Sequence, residues 1–209
     1  MRKHILLAAL VAAAVALTAP ATASAATGTP APDLPAGVHP ACIANADGEC
    51  EHATIMLSGR LDTQSSSGVN ISCTNDMTIT FYADGTSDVT AFNPGTPCTT
   101  NIPGCQVHTA ATNLDWGDRL GYDTSDGTYR DYINADIDAT FTPGCPIVGT
   151  FTQSGLLKPE VTIVGGVMHV AFNGASSGIL TSPLGTQTVT GSLTSTSGVG
   201  SDTQLIPIV

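Results

Sequence analysis

The sequence predicts an all-β protein, an antiparallel sandwich of about nine to ten strands held by disulfides, with a closed antiparallel barrel as the alternative. Three observations predict it. Apolar and polar residues alternate with a period of two in several runs, the mark of strands with one buried face. Asp-Gly, Gly-Gly and Pro-Leu-Gly clusters separate those runs, as tight hairpin turns require. All six cysteines follow an N-terminal segment that reads as an export signal, which makes up to three disulfides. No amphipathic helix is legible after that segment, and no repeat of fixed period suggests a propeller or solenoid.

Taken in order, residues 1–25 read as a signal peptide. Arg2 and Lys3 form a basic start, Ile5 to Leu17 an apolar core, and Ala23-Ser24-Ala25 an A-x-A cleavage site. The apolar run is shorter than the ~20 residues a membrane-spanning helix needs. The expected product is therefore secreted and extracellular, with cleavage near Ala25. Residues 26–41, rich in Pro and Ala, read as an extended leader without regular structure. Residues 42–209 then form a single β domain, long enough for a real core.

Within that domain, "VNISCTNDMTITF" places Val69, Ile71, Cys73, Met77, Ile79 and Phe81 on one face, with a bulge or break expected at Asn75. Asp84-Gly85 turns the chain into "TSDVTAF". "YINADIDATF" aligns Ile133, Ala135, Ile137, Ala139 and Phe141. "VTIVGGVMHVAF" is a Gly-Gly hairpin, and "GILTSPLGTQTVTGSL" turns at Pro183-Leu184-Gly185.

This register constrains the cysteines. A hairpin centred on Asp84-Gly85 brings Cys73 within reach of Cys98. A longer pair closed at Asp126-Gly127 places Cys105 and Cys145 symmetrically. Cys42 and Cys50 then close a local loop. The competing set joins Cys98 to Cys105 and Cys73 to Cys145. The loop "HPACIANADGECEH" also carries His39 and His52 and invites a metal reading. Structural zinc, however, favours cysteines two to four residues apart, and in an oxidising compartment thiols pair with each other first. A disulfide loop turning at Asp47-Gly48 is the expectation, with no metal and no cofactor.

Charge excludes several partners. The chain carries a formal net charge of −11, and without Arg2 and Lys3 only Arg60, Arg119, Arg130 and Lys158 face its 17 acidic residues. Phosphate-binding and anionic-lipid-binding surfaces need basic clusters, so nucleic acid is not an expected partner. No later segment is long and apolar enough to span a membrane.

Residues 114–138 are the densest in chemistry. They hold the single tryptophan, three of the four tyrosines, two arginines and seven aspartates. Trp116, Arg119, Tyr122, Tyr129, Arg130 and Tyr132 are the candidate ligand-binding residues, with aromatic faces for a sugar ring and charged groups for its hydroxyls. The plainer reading is a core tryptophan, a solvated aspartate-rich hairpin and cross-strand Tyr–Arg packing. Asp136 and Asp138 share a strand face but form a weak glycosidase pair. Asp123 and Asp126 could bind surface calcium, although the full order of a calcium loop is missing. No G-x-S-x-G elbow occurs, and His108 and His169 sit in strand-like runs. No catalytic residue is assigned. "NIS" at Asn70 matches a glycosylation acceptor.

The segments "VNISCTNDMTITFYADGTSDVTAF", "NLDW", "DATFTPGCPIVGTF" and "SGILTSPLGTQTVTGSL" resemble small exported bacterial activators of alkane oxidation. The cysteines of the opening loop and Asp115 before Trp116 depart from that pattern. The resemblance implies an extracellular accessory role, in handling hydrophobic substrates or at the cell surface, and supplies no catalytic residues. The expected function is a non-enzymatic exported binding component whose partner is a cell-surface glycan or a hydrophobic small molecule. A carbohydrate-binding module and a cryptic hydrolase are the alternatives.

Overall fold

Strict alternation builds the longest strands, because each must turn one face to the interior and the other to water. In the computed structural model, which describes residues 29–147 and 149–208, β2 (Ala53–Ser65) buries Ile55, Leu57 and Leu61 and exposes Thr54, Met56, Arg60, Asp62 and Gln64. It pairs along nearly its whole length with β3 (Asn70–Phe81) on one side and β13 (Gly185–Ser197) on the other. The fourth long strand is β8 (Thr128–Phe141).

Shorter strands complete the structure around these four. They are β1 (Val38–Ala44), β4 (Thr86–Pro94), β5 (Cys98–Thr100), β6 (Gln106–Ala111) and β7 (Trp116–Asp123) in the first half. β9 (Gly149–Leu157), β10 (Glu160–Val164), β11 (Val167–Asn173), β12 (Ile179–Ser182) and β14 (Gln204–Pro207) follow. The class is as expected, all-β, antiparallel and disulfide-bonded, but with fourteen strands in one continuous sheet rather than nine or ten. Strands of three or four residues, such as β5, β12 and β14, are too short to show a period.

Pairing also switches partners along each long strand. At one end β3 pairs β4, β8 pairs both β7 and β10, and β13 pairs β11. At the other end β3 pairs β5, β8 pairs β6 and β9, and β13 pairs β12. The sheet thus continues around both edges of the sandwich, and hydrogen bonds run from β2 through β3, β4, β7, β8, β10, β11 and β13 back to β2.

β3 runs unbroken through Asn75, contrary to the expected bulge or break. The inward Asn75 side chain is buried and donates to the Cys73 carbonyl at 2.9 Å, so its polar group is satisfied within the strand. The irregularity lies between Thr78 and Ile79, in the pairing with β4.

All three disulfides join the pairs expected from register: Cys42–Cys50, Cys73–Cys98 and Cys105–Cys145. The symmetry about the Asp126-Gly127 turn is real, because β7 and then β6 lie against successive parts of β8. Two clusters fill the interior. A large one includes Phe81, Phe92, Trp116, Leu120 and Phe172, and a smaller one gathers Ile71, Val107 and Phe141 around two of the disulfides.

Residues 29–41 of the segment read as a leader are only partly free of structure. Thr29 bridges Trp116, Pro30 accepts a hydrogen bond from the Asn134 side chain at 3.0 Å, and the chain becomes β1 at Val38. Gly117 and Gly121 on the outer face of β7 make this possible. A Cβ at Gly117 would collide with the backbone of Thr29 and Ala31, and one at Gly121 would crowd Val38 and Leu34. The expected signal peptide, 1–25, lies outside the described residues.

Candidate functional site

The alternation of β7 and β8 decides what residues 114–138 can do. Trp116, Tyr122 and Tyr129 lie on the inner face, whereas Arg119, Arg130 and Tyr132 lie on the outer face. Six residues expected to share a ligand surface are divided between two sides of one sheet.

Trp116 is 1% exposed. Its indole N–H donates to the Thr112 carbonyl at 2.6 Å, and its ring packs 5.5 Å from Phe92. It is a core residue with its polar atom satisfied, not a platform for sugar. Tyr132 is 2% exposed although it points outward, because the strap formed by residues 29–38 covers that face at Gly121. Tyr122 and Tyr129 face each other across the strands with ring centroids 4.9 Å apart and are half-buried. Arg119 is half-buried, opposite Thr86 and Tyr132.

Arg130 is engaged within its own hairpin. Its guanidinium pairs with Asp123 at 2.9 Å and with Asp126. The two carboxylates considered for calcium therefore already have a cation. Hydrogen bonds from Ser125 hold Asp123 below the usual carboxylate range; for Asp126 the Arg130 guanidinium does so first, then Thr128.

The other candidates are similarly engaged. Asp136 accepts from the Asn113 amide at 2.7 Å and Asp138 from the Thr152 hydroxyl at 2.6 Å. The Cys42 and Cys50 thiols are spent on each other, while His39 lies opposite Tyr122 and His52 packs 5.4 Å from Tyr82. Among the described residues no group of three or more His, Cys, Asp or Glu is placed to hold a metal. No helix among them is long and apolar enough to cross a membrane.

Two interior features carry chemistry that the sequence reading did not single out. The first is a cavity of about 50 Å³ between the two core clusters. Leu61, Met77, Phe92, Trp116, Ile133 and Phe172 give it an apolar wall. Thr63, Asn75, Thr109 and Gln153 add a few polar groups to the lining. The second is a pair of carboxylates, Asp118 on β7 and Asp131 on β8, both on the inner face and both 0% exposed. Burial, followed by repulsion from Asp131, raises Asp118 well above the ordinary aspartate value. Burial pushes Asp131 up to about 7. A signal for this pair existed. Asp118 interrupts the inner series Trp116, Leu120, and Asp131 falls between Tyr129 and Ile133, so parity placed both inside. In a run so rich in aspartate they read as solvated.

No protein family, no curated protein and no solved structure matches this chain.

Proposed function

We propose that the protein is an exported, non-catalytic accessory protein that holds a small apolar molecule within its sandwich. The interior cavity carries this reading. Its wall is mostly aliphatic and aromatic with a few polar groups, the composition of a site that orients an apolar guest. At about one water-sized sphere per 10–15 Å³, 50 Å³ suits a guest of about three to five heavy atoms. The three disulfides and the acidic, lysine-poor composition fit a protein working outside the cytoplasm. The resemblance to exported activators of alkane oxidation points the same way.

Trp116 lines the cavity and is the only tryptophan, so its emission reports on that site alone. Titration of the oxidised protein with n-pentane should give a saturable change in emission. Ala135→Leu, which fills the cavity from its own wall, should remove that change while leaving the fold intact by circular dichroism. A linear, unsaturable response, or the same response in the filled variant, would refute the proposal.

A further inference from the structure

We infer that Asp118 and Asp131 form a proton-sharing acid pair that locks β7 and β8 to the interior, and that loss of the shared proton loosens this seam as the surroundings turn alkaline. The geometry is particular. Both side chains are fully buried, and apart from the Ser87 hydroxyl, which favours ionised Asp118, no donor among the described residues reaches their four carboxylate oxygens. The Ser87 hydroxyl, directly across from Asp118 on β4, is also buried and otherwise unpartnered. No ion pair among the described residues reaches either acid.

The surroundings supply no counter-charge. β4 adds another acid, Asp88, which accepts from the Tyr82 hydroxyl at 3.0 Å. From β10 comes Glu160, placed opposite Arg130, and from β1 comes His39, which is exposed. Arg119 and Arg130 belong to the outer face of the same two strands. A pair of buried anions without a cation is strongly unfavourable. A proton between them removes the repulsion and satisfies two oxygens at once, as in other closely placed carboxyl pairs. Asp118 lies opposite Ile133 and Asp131 opposite Leu120, so the two acids are diagonal neighbours on the inner face of β7 and β8, close enough for one proton to serve both. A metal ion suits the site less well. Two carboxylates and one hydroxyl offer five oxygens, whereas calcium takes about six to eight.

The sign follows from linkage. The raised acids hold protons in the native state that the unfolded chain would release. Their stabilisation is complete below the ordinary aspartate range and is lost as pH rises through about 7 for Asp131. Each proton held only by the native state changes the unfolding constant by about tenfold per pH unit in that interval.

Infrared spectroscopy of the oxidised full chain should show a protonated carboxyl band at neutral pH, where exposed aspartates are ionised, and the band should vanish in the Asp118→Asn/Asp131→Asn variant. Protection of β7 and β8 amides, the exchange rate taken relative to the base-catalysed intrinsic rate at each pH, should fall between about pH 6 and pH 9 in the wild type, by up to about tenfold per unit, and much less in Asp131→Asn. If the variants do not fold, the wild-type band still decides. Its absence at neutral pH overturns the inference. So does slowing of that exchange by calcium at alkaline pH with reversal by a chelator, which would make the site a cation site.

Discussion

Trp116 and Arg130 lie in one hairpin and were candidates for one surface, yet their side chains face opposite sides of the sheet. Replacing the buried indole leaves a large void beside Phe92 and strands the Thr112 carbonyl that it satisfies. Trp116→Ala should therefore lower the unfolding free energy by about 3–5 kcal/mol, read as a reduced urea midpoint. Arg130→Ala should act through charge instead. It removes the cation that holds Asp126 below the ordinary range and adds a little to what Ser125 does for Asp123, and these groups lie at the surface. The expected result is a small loss at neutral pH that disappears in strong acid, where both carboxylates are protonated in either protein. If Trp116→Ala proved the milder of the two, the assignment of inner and outer faces would be wrong. That assignment was legible in advance, since parity separates Trp116 and Tyr122 from Arg119. Dense local chemistry suggested a site that alternation had already divided.

Elements fared better where a turn fixed the register. Asp84-Gly85, Asp126-Gly127 and Gly165-Gly166 each centre a real hairpin, and the disulfide pairs followed from the first two. The strap at 29–38 was not legible, because Pro- and Ala-rich composition gives no period. Its signature lay elsewhere, in glycines at the outward positions 117 and 121 of an otherwise bulky strand. Gly117→Val should push the strap away, at a cost of about 1–3 kcal/mol, and expose residues 29–38 to proteases that leave the wild type intact. Disulfides offer a second test at this scale. Cys105–Cys145 spans 40 residues and Cys42–Cys50 spans 8. If each acts by restricting the unfolded chain, removing the former with paired serines should cost about 1.4 kcal/mol more than removing the latter. Equal losses would instead indicate that the opening loop is held by packing of Cys42 and its buried neighbours.

Closure of the sheet is a property of the whole molecule that no local segment announces. β2 meets β13, and β8 meets β10, across separations that neither alternation nor turns encode. The same closure seals Asp118 and Asp131 inside, so the response of the molecule to pH combines opposite contributions from its surface and its interior. On the surface, Asp84 joins Asp123 and Asp126 among the depressed carboxylates, through hydrogen bonds from Thr86. Their stabilisation is present above the ordinary aspartate range and is lost as pH falls through their lowered native values. In the interior, Asp118 and Asp131 are raised, as is Asp88 nearby, and their contribution is lost in the other direction, as pH climbs. The net negative charge, growing as acids ionise, adds repulsion on the same alkaline side. The urea midpoint of the oxidised protein should therefore be highest at mildly acidic pH and decline towards pH values above about 7. Asp131→Asn should flatten the alkaline decline and leave the acid limb in place, whereas Arg130→Ala should do the reverse. A wild-type midpoint that rose steadily from acid to alkaline pH would mean that the surface acids govern stability and that the buried pair carries no proton.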